Sequence, residues 1–305
     1  MTTDENTLLP VKTLEQKPKG NPFDPALYGE IVKPGELVDI VELSPLTLTD
    51  RRVYNLLIAN AWENIGEPIV HRISKAHLKG NHKSNERVEQ SLLRLMSTIA
   101  IVTIKKAGKT YRRRVQLLGP SDESLEKDGY LHYRIPEELI EILRNSEVYA
   151  RIKSQVMYCF ESKYALCLYE MIERRIGLTY KQEDVFTIEE LRGLLNVPDG
   201  KLERFADFNK YCLKIAEAEL NRLCPFYVSF KPVKTGRKVD KVALHWFPKT
   251  KDGKRSAQNL VDQHSVIRRA RIKGGLLDLP PLIEFPGLIP DGEPAPKNSL
   301  LRKMP

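Results

Sequence analysis

The tripeptide Gly108-Lys109-Thr110 has the ending of a phosphate-binding loop. That loop needs a glycine five residues earlier, and the chain has Thr103 there. It must also join a strand to a helix, whereas residues 99–117 read as two strands around a turn. The six histidines contain no His-x-His pair, so the metal-and-tyrosine apparatus of DNA nicking is missing. His71, His77 and His82 could be grouped as metal ligands. Without a cysteine or a carboxylate pattern beside them, they read as surface or cap residues around a turn. No Gly-x-Ser-x-Gly elbow occurs. Cys159, Cys167, Cys212 and Cys224 form no Cys-x-x-Cys pair and fall in helical segments, so they read as reduced, buried thiols in a reducing compartment. Asp207 reads as an acid near the positive end of a helix. The expectation is a chain without catalytic residues, cofactor or metal.

What remains is charge. Lysine and arginine outnumber aspartate and glutamate by 9 over 305 residues, and the excess is spread along the chain. Fixed positive charge attracts phosphate at long range and releases counterions on contact, so a polyanion is the natural partner. Two segments concentrate it: Lys105, Lys106, Lys109, Arg112, Arg113 and Arg114, then Lys231, Lys234, Arg237, Lys238 and Lys241. Cations so crowded repel one another unless something anionic arrives. In the first segment Arg112 and Arg114 share one strand face, while Tyr111, Val115 and Leu117 share the other.

Each basic segment follows three helical patterns. In the first block these run from Leu48 to Ile65, with Thr47 and Thr49 as candidate caps, then Ile73 to Leu78, then Asn85 to Thr98. In the second they run from Lys163 to Arg175, from the capping box Thr187-Ile-Glu-Glu190, and from Phe205 to Leu223. Three helices and a basic hairpin make the winged-helix plan, whose third helix can enter a major groove about 12 Å wide. On the second block's third helix, Lys210, Lys214, Glu217 and Asn221 form a polar stripe. Arg204 and Asn209 stand near its start, where Arg suits guanine and Asn suits adenine. On the first block's third helix, Arg87, Gln90 and Arg94 form the matching face. The fold class expected is α+β, mainly helical, with two tandem winged-helix domains. Residues 1–37 read as a flexible arm, 38–146 and 147–249 as the two domains, and 250–305 as a basic, proline-rich tail. A helix over Ser256–Lys273 with Arg268, Arg269, Arg271 and Lys273 at its end is expected to be an appendage, stopped by Gly274-Gly275 and followed by extended chain.

Residues 163–247 resemble the second winged-helix domain of iteron-binding plasmid replication initiators of the Rep_3 superfamily. The resemblance is carried by KYALCLYEMIERR, FTIEELRGLLNV, RFADFNKYCLKIAEAELNRLCPFYVSF and KTGRKVDKVALHWF. The segment VELSPLTLTDRRVYNLLIANAW is similar to the first domain of the same family. The family often has several arginines directly after Asp-Phe; this chain has Asn209-Lys210-Tyr211 instead. The resemblance implies binding to repeated origin sites and the chain's own promoter as double-stranded DNA. It also implies opening of an adjacent AT-rich segment, recruitment of host initiator and helicase proteins, and a homodimer in equilibrium with a monomer. A winged-helix transcription repressor without a replication role is the alternative. No apolar run approaches the roughly 18 residues of a membrane span, and the N-terminus lacks a signal-peptide pattern. A cytoplasmic protein without membrane contact is therefore expected.

Overall fold

A computed structural model describes residues 29–79, 86–106, 108–126, 128–144, 146, 148–176 and 182–272. The chain opens with strand β1 (Glu30–Pro34), a short 3-10 turn and strand β2 (Val41–Glu42). Next come α1 (Leu48–Ala61), β3 (His71–Ser74), α2 (Lys75–Lys79), α3 (Glu86–Ser97) and the hairpin β4 (Ile99–Lys106) and β5 (Lys109–Gln116). β6 (Ser121–Asp122), β7 (Tyr130–Tyr133) and α4 (Glu137–Arg144) close the first half. The second half holds β8 (Tyr149–Lys153), α5 (Ser154–Cys159), α6 (Lys163–Arg175), β9 (Glu183–Thr187) and α7 (Ile188–Leu194). Its third helix is α8 (Phe205–Phe208), a π turn over Asn209–Leu213, and α9 (Lys214–Leu223). The hairpin β10 (Phe226–Thr235) and β11 (Lys238–Pro248) and the helix α10 (Lys251–Ile272) follow.

The expected order of three helices and a hairpin is present twice. Of the three candidate caps, Thr47 and Thr187 are in place, whereas Thr49 lies within the first turn of α1. Thr47 accepts from the Asp50 amide at 3.2 Å while Asp50 accepts from the Thr47 amide at 2.9 Å. Thr187 and Glu190 make the same reciprocal pair. The wings belong to the sheets β2-β4-β5 in the first half and β10-β11-β9 in the second; β3-β7-β6 and the pair β1-β8 are separate, and all are antiparallel. Two apolar cores lie beneath them. One joins α1, α3, α4 and the first wing through Leu56, Leu92, Val102 and Leu139. The other joins α6, α9 and the second wing through Leu168, Phe208, Leu220, Val228 and Trp246.

Three expectations are corrected. The segment from Ile73 begins as strand β3, paired to β7. Its alternating burial follows the sheet period rather than a helical one. The arm expected through residue 37 is ordered from Glu30: β1 pairs with β8, more than a hundred residues away, and Ile31 is fully buried in the second core. A strand whose partner is so remote, and which carries Lys33 on its buried face, looks like polar linker in sequence. Gly35 then lets this segment touch the second half, because a Cβ there would stand 2.6 Å from the Arg174 side chain and 2.8 Å from the Val148 carbonyl. Finally, α10 is no detached appendage. It starts at Lys251, Thr250 accepts from the Gly253 amide at 3.2 Å, and Ala257 and Val261 are buried while the helix packs on α5 and α9. The expected cluster of Arg268, Arg269, Arg271 and Lys273, the glycine stop and the extended end have side chains or backbone outside the described residues, as do most of residues 1–37.

Candidate nucleic-acid interface

The second half's third helix stands on its apolar face. Phe208, Cys212, Ala216 and Leu220 are fully buried. Their four-residue spacing suits the π turn, which widens the helix by one residue per turn. The residues pointing outward at the same spacing are Ala206, Lys210, Lys214 and Ala218. Arg204 is the N-cap; its side chain is 82% exposed and makes no cap bond, with Asp207 3.9 Å away. Asn209 is half-exposed. Lys210 is exposed and its ammonium lies 4.9 Å from the Tyr211 ring centre. Lys214 is exposed and bonds Glu217 at 3.0 Å. All four predicted helix contacts therefore lie on or beside the outward ridge.

Asn221 departs from the predicted stripe. Its Nδ2 donates to the Val228 carbonyl at 2.9 Å and its Oδ1 accepts from the Val228 amide at 2.7 Å. It welds helix to wing strand. Glu219, part of the family-like stretch but given no role by its spacing, is buried and accepts the amides of Glu161 and Ser162 at 2.9 and 3.4 Å. Burial pushes its carboxyl up to about 7, against the pull of those two amides. Both residues look like surface polar positions in sequence. Only the tertiary partner distinguishes them.

The second wing outreaches its sheet. β9 pairs with β11 only from Lys241 to His245, which lie opposite Ser229–Val233 of β10, so residues 234–240 stand out as a two-stranded ribbon. Lys231, Lys234, Arg237, Lys238 and Lys241 are all exposed. Gly236, at φ 63°, makes the turn between them, a conformation that a Cβ disfavours. A bulge at Val233/Lys234 shifts the register, so Lys231 and the tip cations do not share one simple face. Lys231 lies instead with Ser229, His245 and Phe247 along an open depression of about 450 Å³, on the sheet surface opposite buried Phe230.

The first half offers a second cationic surface. Gly108, at φ 74°, sits in the turn between β4 and β5, where a phosphate loop would have needed a helix start. Lys109, Arg112 and Arg114 are exposed, and Val115 and Leu117 face the core as the alternation predicts. Lys105 and Lys106 occupy the β4 end of the ladder. Arg113, on the inward face, bonds Glu141 of α4 at 2.6 Å. Arg87 is exposed on α3. Arg94 bonds Asp50 through both Nε and Nη2 at 2.8 Å. Asp50 is wholly buried and those bonds hold its carboxyl below the usual range despite burial. Arg94 thus fastens α3 to the start of α1, as a buried carboxylate requires of a partner, while its side chain stays 41% exposed.

Histidine and cysteine carry none of this. His71 is buried against the Tyr133 ring, and His82 lies outside the described residues. Among the described residues, no group of three or more His, Cys, Asp or Glu could hold a metal ion. The four cysteines are free thiols, all buried. No described helix is long and apolar enough to cross a membrane.

Two family models match the chain. The first, "Initiator Replication protein, WH1", covers residues 30–173 and the second, "Initiator Rep protein, WH2", covers residues 187–246. The chain belongs to the initiator Rep protein family. Its first family domain begins at β1 and runs through α6, past the division at 146/147 expected from sequence. Among solved structures, the chain is similar to one described as "Crystal structure of Pi initiator protein in complex with iteron DNA". That match has a TM-score of 0.51 and 19% identity, and covers 76% of this chain and 100% of that one. At that identity the likeness speaks for the shared fold. No curated protein matches the chain. This initiator Rep protein is therefore a tandem winged-helix protein of the α+β class, as its residue patterns predict.

Proposed function

We propose that this initiator Rep protein starts plasmid replication by binding directly repeated origin sites, and that it acts by binding rather than by catalysis. In this reading the ridge bearing Lys210 and Lys214, with Arg204 and Asn209 at its start, enters a major groove of double-stranded DNA. The ribbon of Lys234, Arg237 and Lys238 lies along the phosphates, with Lys231 and Lys241 at its base. Lys105, Lys106, Lys109, Arg112 and Arg114, with Arg87, add phosphate contacts from the first domain. The observation that carries the reading is the second wing: a two-stranded cationic tip projecting beyond its sheet, directly after a third helix whose lysines face outward. The structure of the Pi initiator with iteron DNA supports the same use of the shared fold.

The wider reading follows from family membership. The bound monomer helps melt an adjacent AT-rich segment and recruits host initiator and helicase proteins in the cytoplasm. A homodimer in equilibrium with it represses the chain's own promoter. Footprinting the purified protein on its own upstream DNA is the test. Protection of directly repeated sites, spaced by about two helical turns, is expected. Protection of a lone inverted repeat, with no direct repeats, would overturn the replication role and leave a repressor.

A further inference from the structure

The ten residues linking α7 to α8 decide where the third helix of the second domain starts. That link is held in an unusual shape. Asn196, Gly200 and Leu202 all have left-handed backbone, at φ 57°, 71° and 52°. Glycine and asparagine take that conformation readily; leucine, whose Cβ crowds the following carbonyl there, does not. Such a residue persists only where its surroundings over-determine it.

Leu202 packs partly buried against the second core, the Lys201 amide donates to the Pro198 carbonyl at 3.1 Å, and one side chain ties these to the helix that follows. Arg192, on α7, donates from Nη1 to the carbonyl of Leu202 and from Nη2 to the carbonyl of Lys201. Its guanidinium carbon also stands 5.6 Å from the ring centre of Phe208, the fully buried anchor of α8's first turn. One planar fork thus holds two successive carbonyls and the first core residue of the helix that follows. N-cap Arg204 adds no side-chain cap bond of its own, so beyond the packing of Phe205 and Phe208 in the core this fork is what ties the link to the helix start. Arg204, Ala206, Asn209 and Lys210 all lie within eight residues of the clamped carbonyls.

We propose that Arg192 is a positioning residue for DNA sequence recognition: it touches no DNA, and its clamp on Lys201 and Leu202 sets the angle at which the third helix meets the base edges. This rests on the reading that the chain binds DNA through that helix. A lysine in its place keeps the charge but brings a single ammonium, which cannot reproduce the two-pronged planar fork. The charge and the geometry can therefore be separated.

The experiment measures binding of the full chain, Arg192→Ala and Arg192→Lys to a duplex from its own footprint and to a random duplex over a range of salt. Both variants are expected to lose affinity for the footprint duplex about tenfold, the equivalent of one base contact. Affinity for random duplex and the salt slope should stay at wild-type values. Should Arg192→Ala fail to melt cooperatively, Arg192→Lys alone decides. An equal loss on both duplexes with a slope lower by about one would make Arg192 a phosphate contact and overturn the proposal. So would an Arg192→Lys protein that binds as the wild type does. A wild-type chain showing no preference between the duplexes would instead overturn the DNA reading, and this inference with it.

Discussion

Two lysines on helices or wings differ in what they can read. A base edge presents a donor and acceptor pattern, whereas a phosphate presents only charge. Arg204→Ala and Lys210→Ala are therefore expected to reduce discrimination between footprint and random duplex by about 1–3 kcal/mol each. Lys234→Ala and Lys238→Ala should weaken binding to both alike and lower the salt slope by about one apiece. Band-shift titrations at several salt concentrations check this; wing variants that altered the preferred site would reverse the roles. Away from DNA, His71 is the titrating residue to watch. It is 3% exposed, its Nε2 has no hydrogen-bond partner, and burial pushes its pKa from 6.5 down to about 4, with Glu67 opposing. The unfolded chain binds a proton there at higher pH than the folded one does. Stability is therefore intact above about pH 6.5 and falls as the pH drops toward 4. Urea unfolding of His71→Leu should lack that part of the fall. At this scale the sequence was readable where charge stayed outside, as at Lys109, Arg112, Lys210 and Lys238. It was silent where a charge is claimed from within, as Glu219 is by the amides of Glu161 and Ser162.

An element is placed by the few residues that tie it to its neighbours. The three helices and wing of each half follow from apolar spacing and caps, which are local signals, and those are the parts that sequence predicted well. The third helix shows where local signals stop. Lys214 and Asn221 stand about two turns apart in the regular helix α9, so spacing alone puts both on the outer stripe. Asn221 is in the last turn, and its side chain is drawn to Val228 of β10, the strand that follows. Asn221→Ala should consequently act on the fold. Removing its side chain leaves the Val228 amide and carbonyl without their partner, at a cost of about 1–3 kcal/mol. Thermal melting should show that loss. Duplex binding measured below the lowered transition should keep its sequence preference. A variant of normal stability with altered preference would return Asn221 to the groove face.

The whole molecule depends on a seam that neither half reveals alone. Lys33 of β1 donates to Asn55 of α1 at 3.0 Å and to Glu170 of α6 at 2.8 Å, and Asn55 donates to Glu170 at 2.7 Å. Arg51, also on α1, bonds Glu42 at 2.7 Å and lies 3.9 Å from Glu170. All of these side chains are buried. Beside them, Arg174 and Arg175 pair with Asp39, and Arg175 also bonds Asp184 at 2.7 Å. Scattered over some 150 residues, these charges show no periodicity, so sequence offered them only as surface polar residues. Together they dock α1 of the first half against α6 of the second and fix how the two cationic surfaces lie relative to each other. Glu170→Ala strands Lys33 and Arg51 with a single carboxylate, and a loss of about 3–5 kcal/mol is expected. Glu170→Gln keeps the size and can accept from Lys33 or Asn55 but not from both, and should fold with a smaller deficit. If the seam aligns both halves on one duplex, this variant should keep its sequence preference, which resides in the second domain's third helix. It should also lose part of its salt slope, the part contributed by Lys109, Arg112 and Arg114. An unchanged slope in a variant whose melting point has fallen would mean that the first domain finds phosphate without the seam's guidance.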